Sequence, residues 1–296
     1  TMMESGESEK NKDPFALLNH RLVPEAAFDE AFAGIEAMDR AWIKKNISQL
    51  HTMYATGGSE FLKVERQWSQ GFWTRESLAP LDRVAICFPG SFLSSPRLLA
   101  AVLPPLAADI KQCCAIRVGA EDDSWDSRLL GGLELAGVEE VYDASGEDFE
   151  AWMQSLMRES AMRAVFLDGL EPPRQYGPGS GGTVYLPAVH RLGVWFQNAE
   201  QWDLQAIRAA HPGARLLLGG AAAPCWASGR ERVVDAAPAE FFALDFDALY
   251  VPTSLFQEAT TFCHRVFGPG QEGCWIWPEL SLDPFLRRTV CVSQAG

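Results

Sequence analysis

Short apolar segments that alternate with helical segments constrain the fold of this chain most strongly. Arg83–Phe88 has the composition of a buried strand, and Pro89-Gly90 ends it before a helical segment begins. The segments Cys113–Val118, Ala164–Leu167 and the one that starts at Val141 repeat this pattern. Buried strands separated by helices are typical of a parallel sheet, so the sequence predicts an α/β fold.

The second half of the chain shows the same alternation. Residues 189–196, 215–219 and 249–251 have strand composition, and helical segments are predicted at 200–210 and 254–267. A loop rich in glycine and proline, residues 171–183, separates them from the first half and is a plausible domain junction. Two α/β lobes are therefore predicted.

The predicted domain organisation has four parts. Residues 1–14 are polar and are predicted to be a disordered tail, while 15–80 form a helical arm and a connecting segment. Apolar residues recur at helical spacing from Pro24 to about Ala55, and 59–78 are predicted to hold a strand or hairpin. Residues 81–170 form the first Rossmann-like lobe, and 171–296 a second, shortened α/β lobe with a C-terminal segment.

Four segments resemble the histidinol dehydrogenase family. Pro80–Gly90 resembles the family's "PLDRVGLYVPGG", residues 95–110 resemble "PSTVLMNAIPAKVAGV", Leu135–Tyr142 resembles "LAGVDEVY", and Pro278–Thr289 resembles "SPLSVDDFLKRTS". The resemblance implies two Rossmann-like lobes with parallel sheets and a helical N-terminal arm, an architecture shared with aldehyde dehydrogenases. It also implies a homodimer.

The family's reaction is a zinc-assisted, NAD-dependent oxidation of an amino alcohol, which uses His and carboxylate side chains. The zinc motif "QAEHD" has no counterpart, because no Glu-His dipeptide occurs in the sequence. The segment Ala237–Phe241 resembles "APEHL" only weakly, and Phe241 stands where a base would be needed, which leaves Glu240 as the one catalytic candidate. The family's helical tail, with a further zinc histidine, is expected to be missing after Thr289.

Two glycine-containing turns are candidate cofactor sites. Pro89, Gly90 and Ser91 follow a buried strand, so their backbone N–H groups could face an anion or cofactor; the alternative is a plain strand break. Gly177 and Gly179 belong to a segment that resembles the family's "VGPGN" cofactor loop; the alternative is a flexible hinge. NAD is the cofactor that the resemblance implies, although the residues themselves fix none.

A metal site is not predicted. Cys263, His264 and Cys274 form the only cysteine–histidine cluster in the sequence, and their spacing does not supply the paired ligands of a zinc site. The seven cysteines are an odd number without the spacing of a disulfide framework, which is typical of reduced thiols in the cytoplasm. The sequence therefore predicts a cytoplasmic protein without zinc.

Charge excludes two classes of partner. The net charge is −14, from 39 acidic and 25 basic residues, whereas nucleic acids and anionic membranes require basic patches. No apolar run approaches the roughly 20 residues that span a bilayer. Neither nucleic acid nor a membrane is an expected partner.

These observations lead to three functional hypotheses. The first is a histidinol dehydrogenase-like protein that has lost zinc-dependent histidinol oxidation and binds a small metabolite or nucleotide without catalysis. The second is an NAD(P)-dependent oxidoreductase with a rebuilt active site, in which Glu240 acts as the base. The third is a structural or assembly partner protein.

Overall fold

The computed structural model describes residues 14–55, 63–122, 124–156, 162–171, 183–198 and 202–294. The predicted tail lies outside these ranges except for Pro14, and so do Gly177 and Gly179. Within the described ranges the strands form two parallel sheets of five strands and one antiparallel sheet of three.

The strands and helices alternate along most of the chain. The strands are β1 (Lys63–Trp68), β2 (Phe72–Pro80), β3 (Arg83–Pro89), β4 (Gln112–Val118), β5 (Glu140–Ala144), β6 (Met162–Phe166), β7 (Thr183–Tyr185), β8 (Arg191–Trp195), β9 (Arg215–Gly219), β10 (Arg232–Val234), β11 (Ala248–Tyr250), β12 (Val266–Phe267) and β13 (Leu286–Gln294). The α-helices are α1 (Glu25–Gly34), α2 (Ala37–Ala55), α3 (Ser95–Ala107), α4 (Ser127–Leu135), α5 (Gly146–Leu156), α6 (Leu204–Ala210), α7 (Pro238–Phe242) and α8 (Phe256–Ala259).

The first lobe is a parallel sheet with the order β5-β4-β3-β6-β7. Its central strand β3 is buried from Val84 to Phe88, as a strand covered on both faces must be. The chain moves outward from β3 to β5 and then returns to the other side of β3 at β6. This reversal creates a switch point at the carboxyl ends of β3 and β6, where open α/β sheets bind ligands.

The second lobe repeats this arrangement with the order β10-β9-β8-β11-β12. Its first strand, β8, is again central and is flanked by β9 and β11 in parallel register. The two sheets confirm the predicted fold class, with two Rossmann-like lobes and parallel sheets. The helical N-terminal arm is also confirmed, as the pair α1 and α2.

Helix α3 lies at the junction of the two lobes, and its residues from Ser95 to Pro105 are buried. Its first turn begins after Ser94, whose side chain accepts a hydrogen bond from the Arg97 N–H. The Ser94 Oγ also donates to the Ala210 carbonyl oxygen of α6 at 2.6 Å, and Trp277 Nε1 donates to the Arg97 carbonyl oxygen at 3.0 Å. One helix therefore belongs to the cores of both lobes.

The antiparallel sheet joins distant parts of the chain. Strands β1 and β2 form the predicted hairpin, with Gly71 in the left-handed region at its turn. Strand β13 then pairs with β2 along its whole length, from Leu286 opposite Pro80 to Gln294 opposite Phe72. The sequence analysis did not predict this strand, because its residues lack an alternation of apolar and polar positions.

The helix predicted over 254–267 is wrong. Only Thr253–Ala259 is helical, and Val266–Phe267 forms the edge strand β12. There Val266 and Phe267 pair with Leu249 and Tyr250 of β11, and the Phe267 ring stacks on the Tyr250 ring at 5.2 Å. Sheet pairing and burial outweigh the helical periodicity of this segment.

Among the described residues, no helix combines the length and the apolar character that crossing a membrane requires.

Candidate functional site

The turns that follow β3 and β4 enclose an open cleft of about 470 Å³. The cleft is lined by Pro89–Leu93 at the end of β3 and, at the end of β4, by Arg117–Asp122, Ser124 and Asp126, together with Leu129. The predicted residues Pro89, Gly90 and Ser91 all line it. The cleft thus lies at the carboxyl ends of the adjacent parallel strands β3 and β4, next to the switch point between β3 and β6.

Gly90 serves a packing role at this cleft. Its N–H donates to the Val118 carbonyl oxygen at 2.8 Å, and a Cβ atom at Gly90 would lie 2.4 Å from the Ala120 Cα. The glycine therefore lets the two turns approach each other.

Gly119 is different, because its φ is +67° and a Cβ there would have no atom within 4 Å. Gly119, which the sequence analysis missed, is the residue that offers bare backbone beside the cleft. Its position directly after the buried strand β4 is the sequence feature that could have identified Gly119 as a site residue.

Arg117 holds the β4–α4 turn together. Its guanidinium forms an ion pair with Asp143, donates to the carbonyl oxygens of Ser124 at 2.5 Å and Asp122 at 3.2 Å, and lies 4.1 Å from the Trp125 ring centroid. Its side chain is only 6% exposed. These contacts use most of the guanidinium donors, so Arg117 stabilises the wall of the cleft from inside.

The carboxylates of the cleft lie at its rim and at the start of α4. Glu121 and Asp122 are exposed, and hydrogen bonds from the Ser124 hydroxyl and N–H lower the pKa of Asp122. Asp126 caps α4 by accepting from the Arg128 N–H at 2.9 Å. Burial raises the pKa of Asp126, but its bonds with Arg128 outweigh this effect and lower it. Asp122 and Asp126 are therefore hydrogen-bond acceptors at neutral pH.

The first lobe does not offer the usual place for the pyrophosphate of NAD. That group normally sits at the N-terminus of the helix after the first strand, near a glycine-rich turn. Here the first turn of α3 is buried against α6 through the bond from Ser94 to Ala210, and Ala120 fills the space beside Gly90. The residues present at this position therefore do not fit a pyrophosphate.

Glu240 lies in the second lobe, within the first turn of α7. It is exposed, and its Oε2 accepts a hydrogen bond from the Ala237 N–H at 3.2 Å. This contact satisfies a free N–H group at the start of the helix, which is a common structural role for glutamate at this position. Glu240 and the turn at Pro89–Ser91 thus belong to different lobes.

The cysteines and histidine considered for a metal are placed separately. The Cys263 thiol is buried and donates to the carbonyl oxygens of Phe246 and Arg265, whereas His264 is exposed. Burial raises the pKa of the Cys274 thiol to about 11, and Cys274 lines another cavity beside α2. In the described part of the chain no three His, Cys, Asp or Glu side chains are grouped to hold a metal ion, so these donors do not fit a zinc site.

A buried His211–Tyr250 pair escaped the sequence analysis, since the two residues are 39 positions apart. The His211 Nε2 lies 3.0 Å from the Tyr250 hydroxyl, and the imidazole packs against the Trp275 ring at 4.8 Å. Burial, reinforced by the charge of Arg97, lowers the pKa of His211 well below its ordinary value. Burial raises the pKa of Tyr250. Both groups are neutral at pH 7 and belong to the core of the second lobe.

Comparisons with known proteins place the fold. No protein-family model matches the sequence, and no curated protein sequence matches it. Among solved structures, histidinol dehydrogenase from Elizabethkingia anophelis is similar with a TM-score of 0.60 and 15% identity, over 94% of this chain and 77% of that one.

Two further dehydrogenase structures are similar as well. NAD-dependent benzaldehyde dehydrogenase from Corynebacterium glutamicum has a TM-score of 0.54 and 11% identity, over 91% of this chain and 82% of that one. Succinate-semialdehyde dehydrogenase from Burkholderia pseudomallei has a TM-score of 0.50 and 10% identity, over 95% of this chain and 81% of that one. At these identities the likeness establishes a histidinol dehydrogenase-like fold and leaves the activity open.

Proposed function

We propose that this chain binds a small metabolite in the cleft between Pro89–Leu93 and the β4–α4 turn, and that it has lost zinc-dependent histidinol oxidation. The observation that carries the proposal is this open cleft at the carboxyl ends of β3 and β4, next to the switch point of the first lobe. Its size lies within the range of small-molecule sites. The cleft also combines apolar walls with carboxylate acceptors, which suits a ligand of mixed polarity.

The placement of Glu240 and of two other side chains that can transfer protons supports the second half of the proposal. Glu240 caps a helix in the second lobe, and the buried His211 is held neutral by its surroundings. Cys263 bonds to backbone carbonyl groups. Each of these side chains has a structural partner, so none of them is poised for proton transfer beside the cleft.

Thermal unfolding with and without ligands tests the proposal. The panel contains NAD, adenosine, zinc and histidinol at millimolar concentration. A ligand at one hundred times its dissociation constant should stabilise the protein by about 2.7 kcal/mol and raise the Tm by a few degrees. The shift should disappear in Ser91→Trp, which fills the cleft, and persist in Ser69→Trp, a matched change in the exposed β1–β2 turn. A shift that survives Ser91→Trp would place the ligand elsewhere.

An oxidoreductase with a rebuilt active site is the second candidate, and the likeness to dehydrogenase structures favours it. Formation of NADH from NAD with histidinol or aldehyde substrates measures this activity directly. Turnover that Glu240→Gln abolishes would establish this candidate in place of the first, whereas turnover that is equal in both proteins would exclude Glu240 as the base.

We further propose that the chain pairs with a second copy through the antiparallel sheet. Strand β13 lies at the sheet's edge, and its side chains from Arg287 to Gln294 are exposed. Val290 and Val292 are 52% and 65% exposed on one face. An exposed edge strand with apolar side chains favours association with another chain.

A further inference from the structure

We infer that the ligand of the cleft carries no phosphate group and presents hydrogen-bond donors, hydroxyls or amines, to Glu121 and Asp122. This inference rests on the proposed function, because it specifies the ligand of the same cleft. Three features of the cleft lead to it. The basic side chain among its described lining residues is already bonded within the protein, the helix N-termini near it are covered or capped, and its rim carries carboxylates.

The first feature is the cation. Among the described residues that line the cleft, Arg117 is the basic one, and it pairs with Asp143 while donating to two carbonyl groups of its own turn. A phosphate is normally bound through a guanidinium or ammonium group that is free to form charge-assisted hydrogen bonds. Recruiting Arg117 for a phosphate would break the contacts that shape the cleft wall.

The second feature is the pair of helices that begin near the cleft. Helix N-termini bind anions because their first N–H groups are free and the helix dipole is positive there. The start of α3 is covered by α6, where Ser94 donates to Ala210. The start of α4 already holds a carboxylate, since Asp126 accepts from the Arg128 N–H. Neither helix therefore offers a place for a phosphate.

The third feature is the rim. Arg128 compensates the charge of Asp126, but Glu121 and Asp122 are exposed carboxylates of the same turn. The hydrogen bonds from Ser124 keep Asp122 ionised to lower pH than usual. Two negative charges beside the cleft repel a phosphate and accept hydrogen bonds from hydroxyl or amine groups.

The walls suit the remainder of such a ligand. Phe92, Val118 and Leu129 are apolar, and Gly119 leaves the backbone open on its side of the cleft. A flat or aliphatic group can pack against these residues while its donors point to the rim. Nucleosides and free sugars have this combination, whereas nucleotides and sugar phosphates add the charge that the cleft does not accommodate.

Titration calorimetry with matched ligand pairs tests the inference. Adenosine is compared with AMP, and ribose with ribose 5-phosphate, so each pair differs by one phosphate. We expect at least one unphosphorylated compound to bind, with an affinity at least tenfold higher than that of its phosphorylated partner. The variant Glu121→Gln/Asp122→Asn should reduce this difference to less than threefold. The control Glu147→Gln/Glu150→Gln makes the same change in net charge on exposed residues of α5 and should leave it unchanged.

The two proposals fail in different ways. A phosphorylated compound that binds as tightly as its partner, or more tightly, and whose binding Ser91→Trp abolishes overturns the inference and leaves the cleft as the binding site. Failure of all four compounds to bind also overturns the inference. If in addition no ligand of the thermal panel responds to Ser91→Trp, the proposed function falls as well.

Discussion

At the residue scale, Asp168 compensates a charge inside the protein. The Arg97 Nη1 donates to Asp168 Oδ1 at 2.8 Å, and only 4% of the Arg97 side chain is exposed. The guanidinium also lies 5.0 Å from the Phe92 ring centroid. A guanidinium this deeply buried needs a carboxylate partner, because the cost of removing a charge from water is several kcal/mol.

Asp168→Asn removes the charge and keeps a residue that tolerates the left-handed backbone found here, where φ is 56°. We expect the free energy of unfolding to fall by about 3 kcal/mol, since Arg97 would remain buried without its partner. Chemical denaturation measures the change. Asp109→Asn is the control, because Asp109 is exposed and has a φ of 61°; a loss of comparable size in that variant would contradict the explanation.

His211 should make stability depend on pH. Its pKa in the folded protein is lowered below the ordinary 6.5 by burial, so below pH 6.5 the unfolded chain takes up a proton that the folded chain refuses. The free energy of unfolding is therefore expected to fall as the pH drops from 6.5 to 5, with this histidine contributing up to about 1.4 kcal/mol per pH unit. Denaturation curves across this range should show a smaller slope for His211→Gln. Equal slopes for the two proteins would show that His211 is protonated in the folded state.

At the element scale, two glycines that flank β9 differ in the space around them. Gly213 and Gly220 both have positive φ angles, of 85° and 92°. A Cβ at Gly220 would lie 2.2 Å from the Phe196 carbonyl oxygen, whereas one at Gly213 would have no atom within 4 Å. Gly220 therefore allows the end of β9 to approach the end of β8.

Substitution of each glycine by alanine should separate the effect of backbone strain from the effect of a steric clash. Gly213→Ala adds only backbone strain and should lower the free energy of unfolding by about 1 kcal/mol. Gly220→Ala adds a clash between backbone segments as well, and we expect a loss of about 3 kcal/mol or more. Thermal or chemical unfolding of the two variants measures the difference, and equal losses would refute the role assigned to Phe196.

The sequence predicted those elements whose residues are buried on both sides. Apolar runs such as Ala85–Phe88 identify strands of the central sheets, because burial alone determines their composition. Strand β12 depends on pairing with β11. The spacing of apolar residues within a segment gives no information about such a contact with another segment. For the cleft, the sequence indicated the turn after β3, but the importance of Gly119 depends on the space around it.

At the scale of the whole molecule, the antiparallel sheet is the proposed interface between two copies. Val290→Lys/Val292→Lys should replace apolar contacts by repulsion between like charges and shift the protein to a monomer. Light scattering coupled to size-exclusion chromatography measures the mass. Lys substitutions at Leu17 and Met38, which are also exposed, serve as the control and should leave a dimer intact. A monomeric parent protein would rule out this proposal.

The pairing of β13 with β2 also has a consequence for biosynthesis. More than two hundred positions separate the paired residues Phe72 and Gln294 along the chain, so the hairpin β1–β2 leaves the ribosome long before its third strand exists. Contacts between residues so distant in sequence form late, since the intervening chain must first be ordered. During synthesis the nascent chain therefore exposes the open edge of β2 until β13 has emerged and covers it.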